Sequence, residues 1–350
     1  MNAGSERPAR PRRRGPSIEA VAAMAGVSIA TVSRTLTNPD RVSAATRERV
    51  LETVRQAGYT PSFAGRNLRA ARSMMVLAVV PTIITPFFSQ LLLGVDRGLS
   101  AHGYGMLVGN LHDSPGKEER LADFVYSGQA EGALLLDGRI LRGRHGSLAD
   151  IGAPLVAVSV PSDLPSVPTV LVDERGGAAQ AARHLLDLGH RRFGYVSGPP
   201  GHIDEERWLG FSETLADAGI AADSVVRWQG DFHVASGLAA GTQFLGLRHP
   251  PTAIFAASDM MAIGFIRALH EDGRRVPEDV SIVGFDGIEF ADYCEPPLTT
   301  VRQPREEMGR TAAEILVRMI QGETLTPAES LVTLDVKLRR GASTAPPSRR

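Results

Sequence analysis

Val27-Ser28-Ile29-Ala30-Thr31-Val32-Ser33-Arg34 is the stretch that decides how this chain is read, because it has the make-up of a short helix shaped for a DNA groove. Ser28 is placed to cap that helix, since a serine hydroxyl accepts from the free backbone N–H groups of a first turn. Val32 and Leu36 stand four apart and share one face, which a neighbouring helix can cover. Ile29, Ala30, Ser33 and Arg34 fall on the opposite face, which is small except for one long guanidinium. Such a face slides into a major groove, where Arg34 can make a two-pronged contact with a guanine edge worth about 1–3 kcal/mol of discrimination. Ser28 and Thr31 at the helix start, and Arg41 beyond its end, complete the candidate contacts of this head.

The flanks extend the pattern. Ser17-Ile18-Glu19-Ala20-Val21-Ala22-Ala23-Met24-Ala25 reads as a capped, alanine-rich helix, and Ala25-Gly26-Val27 is a small turn that lets the next helix cross it. Asn38-Pro39-Asp40-Arg41-Val42-Ser43 is a turn ending in a serine cap, followed by a third helix over 44–57 with Val50 and Val54 inward and Gly58 at its end. Two such helices could be surface helices of an ordinary bundle, but the segment downstream of the third helix argues otherwise. Tyr59 to Arg69 is too short to be a stable helix alone, yet it carries Leu68 among Arg66 and Arg69. An apolar side chain among arginines makes sense as a wedge between base pairs in the minor groove, with the arginines on the phosphates.

With Val42-Ser43 and Gly58-Tyr59-Thr60-Pro61, the head resembles the lactose-repressor family of bacterial transcription regulators. The resemblance runs to about Leu338, through Pro86-Phe87-Phe88, Gly189-His190-Arg191-Arg192, Gly198-Pro199-Pro200, Ser258-Asp259-Met260-Met261-Ala262, Val276-Pro277-Glu278-Asp279-Val280-Ser281 and Pro297-Leu298-Thr299-Thr300. It implies a periplasmic-binding-protein-like body whose chain crosses between two lobes near Val172, Pro304 and Leu331. It also implies a homodimer on a near-palindromic operator, controlled by a small-molecule effector such as a sugar, sugar derivative or sugar acid. The tail lacks apolar heptads that would hold a tetramer.

Composition agrees. At 350 residues and 43% hydrophobic, the chain can bury the cores of a small head and two ordinary lobes. No apolar run reaches the length of a membrane span, and no apolar signal segment follows the arginine-rich N-terminus, so a cytoplasmic protein is expected. The single Cys294 leaves no internal disulfide and no cysteine metal site. Residues 1–72 hold 13 arginines against 5 carboxylates, while the net charge of the chain is −1. A basic head on an acidic body suits DNA binding confined to the head.

From Met74, apolar strands alternate with helical segments and the pattern restarts near Val172, which argues an α/β body of two parallel sheets behind an all-α head. The expected domains are a disordered basic tail (1–16), the helix-turn-helix head (17–61), a hinge helix and linker (62–73) and the effector-binding and dimerisation body (74–341), with a disordered tail (342–350). Lobe 1 is expected over 74–171 and 304–330, and lobe 2 over 172–303 and 331–341.

Ligands of such sheets bind at the carboxyl ends of the strands. Asp259, between an apolar strand and a helix, can accept from ligand hydroxyls there or merely cap the helix. Arg207, on the helix after Gly198-Pro199-Pro200, can donate a forked pair of hydrogen bonds. One of Phe87 and Phe88 can give a sugar ring an apolar face, and Phe232 resembles a cleft aromatic of the family. Asp113 and Asp286 are further candidates, each equally readable as a turn residue. The chain departs from the family at Ser159-Val160, where many sugar-responsive members carry Asp-Arg, at Ser258, where Asn is common, and at Gly65, often Ala. An enzyme is disfavoured: Gly103-Tyr104-Gly105 precedes a strand instead of following one, and no nucleophile elbow or zinc motif occurs. No metal or cofactor is expected. A solute-binding protein without a DNA-reading role is the alternative that the body alone would fit.

Overall fold

The computed structural model describes residues 16–59, 72–111 and 116–348. The chain forms two compact units, Met1–Arg72 and Ser73–Arg350.

In the first unit, α1 (Ile18–Ala25) starts at Ser17, whose side chain accepts from the Ala20 N–H, and ends at Gly26 with φ 62°. That left-handed turn is open to glycine without strain and throws the chain into α2 (Ile29–Thr37). Ser28 Oγ accepts from the Thr31 N–H at 3.1 Å, as the sequence predicts. α3 (Ala44–Ala57) ends at Gly58, also at φ 62°. Val21, Ala22, Ala25, Val32 and Val50 are buried together, with Leu36 and Val54 packed against them. The expected cap at Ser43 is not made: its hydroxyl donates to Thr46 Oγ1 at 2.9 Å and accepts from no backbone N–H.

The second unit alternates strands and helices. β1 (Met75–Val80), α4 (Pro86–Ser100), β2 (Gly105–Asn110), α5 (Lys117–Tyr126), β3 (Ala133–Leu135), the hairpin β4 (Arg142–Gly143) and β5 (Gly146–Ser147), β6 (Leu155–Val158) and β7 (Thr169–Val172) make its first half. α6 (Glu174–Asp187), β8 (Phe193–Ser197), α7 (His202–Asp217), β9 (Val226–Gln229), α8 (Val234–Leu245), β10 (Ala253–Ala256), α9 (Asp259–Glu271), β11 (Ser281–Asp286), α10 (Phe290–Tyr293) and β12 (Thr299–Arg302) make the second. α11 (Arg305–Ile320), α12 (Pro327–Ser330), β13 (Leu331–Leu334) and β14 (Lys337–Arg339) complete the chain of elements. The strands form two six-stranded sheets, ordered β13-β7-β6-β3-β1-β2 and β14-β12-β11-β10-β8-β9. All neighbours are parallel except β14, which runs antiparallel to β12. Central strands are buried throughout, which is why Val76 to Val80 reads as a continuous apolar run and not an alternating one.

The chain crosses between the sheets three times, after β7, after β12 and after β13. The last crossing differs from expectation: 331–334 belongs to the first lobe, Leu331 pairing with Thr169, and only β14 returns to the second. β13 is an edge strand of alternating half-exposure, a pattern that fits the edge of either sheet equally. The expected free tail is also partly tied down. Ser343 is 0% exposed; its Oγ accepts from the Thr299 N–H at 2.8 Å and donates to the Ile282 carbonyl, while the Ala345 N–H reaches Ser281 Oγ. Short polar side chains there satisfy groups of β11 and β12, which composition alone cannot reveal.

The helices on each sheet meet through glycines. A Cβ on Gly94 of α4 would lie 2.0 Å from the Glu306 carbonyl oxygen, and one on Gly309 of α11 would lie 2.1 Å from that of Leu91. Backbone is the obstacle, so neither helix can yield without separating. Gly309→Ala is expected to destabilise by about 1–3 kcal/mol as an overpacking change, read from the thermal midpoint.

Candidate functional site

The candidate DNA contacts at the start of and along α2 differ in exposure. Ser28, Ile29, Ala30 and Arg34 are exposed, Thr31 and Ser33 are half-buried, and Val32 is covered by the head's core. Thr31 is held in place: its hydroxyl meets Ser28 Oγ at 2.9 Å and its carbonyl accepts from Thr35 Oγ1. Arg41 is exposed in the short 3-10 turn Pro39–Arg41. Arg66, Leu68 and Arg69, and Asp113 of the body, lie outside the described residues.

In the body, the buried charges converge. Among the described residues, every buried Asp, Glu or Arg is one of Glu174, Asp204, Arg207, Asp259, Asp286 and Arg305, and no lysine is buried. All six lie at or just beyond carboxyl ends of strands, or within the first two turns of the helices that come next. Arg207, 2% exposed, is the hub. Its Nε donates to Glu174 Oε2 at 2.7 Å, one terminal nitrogen donates to the Ala257 carbonyl and the other lies 3.5 Å from Asp286 Oδ1. Its Cζ stands 3.7 Å from the Phe285 ring centre and 5.8 Å from that of Phe232. Burial opposes the charge of Arg207, but Glu174 and Asp286 more than offset it, so the pKa is raised.

Asp259 is 0% exposed and does not cap α9; Ser258 does, through the Met261 N–H. One oxygen of Asp259 accepts from the Ile288 N–H at 2.8 Å and the other from Thr300 Oγ1. It therefore fixes the loop that carries Asp286, whose φ is 115°. Asp286 Oδ1 in turn accepts from Gln303 Nε2 at 2.9 Å, at the second crossing. Beyond that crossing Arg305 donates to the Gly287 carbonyl at 2.7 Å and stands 5.9 Å from the Phe87 ring. Phe87 is thus the phenylalanine beside the buried charges, and Phe88 meets it edge-on at 5.1 Å. Phe232, at φ 66°, covers Gly198, where a Cβ would lie 2.2 Å from its ring.

The structure adds residues that the sequence did not single out. Glu174 has the look of an ordinary first-turn acid, favourable to the helix dipole. Four buried polar atoms among the described residues lack a hydrogen-bond partner: Thr85 Oγ1, Ser159 Oγ, Gln303 Oε1 and Arg305 Nε. Buried polar groups are normally paired with protein or with ordered water, so each of these four calls for a partner of one kind or the other. Thr85 and Ser159 come from the first lobe and Gln303 directly follows a strand of the second. Solvent grooves of ≈ 440 and ≈ 450 Å³ meet along Arg302–Pro304; Gln303 lines both and Arg305 one, while Arg207, Asp259 and Asp286 line neither.

Burial and the Asp286 carboxylate push the pKa of Asp259 up to about 8, and burial, against the pull of Arg207 and Arg305, brings that of Asp286 to about 6. Above its ordinary value and below about 8, Asp259 keeps a proton in the folded chain that the unfolded chain has lost. This contribution to stability is therefore complete in acid and vanishes as pH rises through about 8. In Asp259→Asn that fall is expected to flatten, which unfolding midpoints from about pH 5 to about pH 9 would show.

Known proteins share this architecture and this order of motifs. The model of the bacterial regulatory proteins, lacI family, matches residues 17–62, and that of the periplasmic binding protein-like domain matches 182–344. The HTH-type transcriptional repressor CytR of Escherichia coli (strain K12) is 37% identical over 327 residues, covering 93% of this chain and 96% of that protein. The chain belongs to the lacI family of bacterial regulatory proteins. Another member, the HTH-type transcriptional regulator CelR of Thermobifida fusca, is 38% identical over 94% of this chain and 98% of its own length. A solved CelR–cellobiose complex matches with a TM-score of 0.69 at 35% identity, covering 94% of this chain and 99% of that one. The lac repressor dimer bound to operator and the anti-inducer ONPF matches with a TM-score of 0.80 at 25% identity, covering 95% of this chain and 100% of that one. This lacI-family chain is a DNA-binding transcriptional regulator, with a helix-turn-helix head and a periplasmic-binding-like body. No described helix is long and apolar enough to cross a membrane.

Proposed function

We propose that this regulator is a homodimeric repressor of a near-palindromic operator, and that a sugar or sugar derivative bound between its lobes sets its operator affinity. The observation that carries the effector reading is the set of orphaned polar atoms beside a buried ion cluster, at strand ends of both lobes. The cellobiose held by CelR supports a polyhydroxylated ligand. Gln303, Arg305, Ser159 and Thr85 meet the ligand, Phe87 and Phe232 border it, and Arg207 reads it through Asp286 and Glu174. Asp259 acts from beneath as a positioning residue.

The same contacts tie the ligand to the crossings between the lobes. Glu174 comes just after the first crossing and Gln303 occupies the second, so a ligand that redraws the bonds of Arg207 and Asp286 alters how the lobes meet. To switch anything it must favour one arrangement over the other. Two heads on a two-fold axis read two half-sites, with paired hinge segments driving Leu68 into the minor groove between them.

Sequencing the genomic fragments that the purified protein retains at near-physiological salt tests the reading. Enrichment of one short palindrome is the expected result. If no sequence is enriched while a sugar still binds, the solute-binding alternative takes its place.

A further inference from the structure

From the charge pattern of the cleft we infer that Glu174 is a specificity-determining residue that makes the effector site exclude anions, so that an uncharged polyhydroxylated ligand is accepted while its carboxylate or phosphate analogue is refused. This rests on the effector reading above and narrows it.

Arg207 and Arg305 are the buried guanidiniums among the described residues, set among the four carboxylates Glu174, Asp204, Asp259 and Asp286. With all of them ionised the cluster carries an excess of two negative charges, and a proton kept on Asp259 leaves one. The forked nitrogens of Arg207 that would suit a ligand carboxylate are already committed: Nε to Glu174, and the terminal nitrogens to the Ala257 carbonyl and toward Asp286. An anion seeking Arg207 would have to displace a buried carboxylate and leave it unpaired, and one seeking the open Arg305 Nε would still enter a cluster with an excess of negative charge, a penalty of the kind that gives selectivity by repulsion. A neutral hydroxyl does not face this cost, because it can donate to the orphaned Gln303 Oε1 or accept from Arg305 Nε.

Glu174 is the residue to which the exclusion is assigned. Asp204 makes no ion pair with Arg207 and instead accepts from Tyr195 OH and the Gly198 N–H at 2.7 Å each. Asp259 is spent on Ile288 and Thr300. Asp286 shares itself with Gln303. Glu174 alone makes a short direct pair with the Arg207 Nε, and its side chain is 5% exposed.

The test is calorimetric titration of the full-length protein with matched pairs: glucose and glucuronate, cellobiose and cellobionate, ribose and ribose 5-phosphate. In the parent, each neutral sugar that binds should do so at least about tenfold more tightly than its anionic partner. Glu174→Gln keeps the shape and removes the charge, and should narrow that ratio by about tenfold; Glu174→Asp keeps the charge and should preserve it. Should Glu174→Gln fail to fold on a melting check, Glu174→Met removes the same charge at similar volume and should narrow the ratio likewise. An anionic member that binds the parent as tightly as its neutral partner overturns the inference, as does an unchanged ratio in the folded charge-removed variant. If neither member of any pair binds the parent, the sugar-effector reading itself fails, and the inference with it.

Discussion

Arg207→Ala is expected to lose the effector response and to unfold more easily than the parent by about 3–5 kcal/mol, the usual cost of removing one partner from a buried ionic group. Glu174 and Asp286 would remain under the surface without their shared cation, and the Ala257 carbonyl would lose its donor. The ring of Phe285, 3.7 Å from the guanidinium carbon, would face a cavity. Operator binding, measured at low temperature where the variant stays folded, should persist, because the head packs its own core around Val21, Val32 and Val50. Chemical denaturation gives the stability change, and effector-dependent release or tightening on operator DNA gives the response. Adding Glu174→Gln should recover part of the lost stability, since it removes one stranded charge. A double variant no more stable than Arg207→Ala would show that lost packing, not uncompensated charge, is the cause.

What the sequence can and cannot reveal divides along physical lines. Local signals are legible: the Ser28 cap, the glycine ends at Gly26 and Gly58 and the limits of α3 all arise from chemistry within one turn of chain. Buried parallel strands are legible for the same reason, as apolar runs bounded by turns. The third crossing is expected too early because the half-exposed Leu331–Leu334 carries no mark of the sheet edge it joins. Ser343 escapes because its partners, Thr299 and Ile282, are more than forty residues away in sequence. In the cleft, Arg207, Asp259 and Asp286 stand out from the sequence, but their pairing with Glu174, Thr300 and Gln303 depends on non-local contact. Ser159, which in the sequence marks only a missing acid, is a buried hydroxyl without a partner at φ 70°. A non-glycine residue held at positive φ directly after a strand is the kind of signal that coordinates disclose and composition does not.

Leu68→Ala should weaken operator binding by about 10- to 100-fold while leaving effector affinity in the free protein unchanged, a loss of about 1.4–2.8 kcal/mol of binding energy. The residue lies outside the described segments, so the expectation rests on its setting between Arg66 and Arg69 in a piece of chain too short to be a stable helix alone. An apolar side chain there gains most by entering a base step, partly unstacking it and bending the duplex toward contacts the head could not otherwise reach. Alanine cannot fill the step, so the bend is lost together with those contacts. Salt dependence separates this account from simple loss of charge. Leucine neutralises no phosphate, so the slope of log affinity against log salt should be the same for Leu68→Ala and the parent. Arg66→Ala, by contrast, should reduce that slope by about 1 with a smaller loss of sequence preference. Parental operator affinity in Leu68→Ala would remove the wedge. A changed salt slope would instead place Leu68 where it orders the neighbouring arginines and leave the central step of the operator unbent.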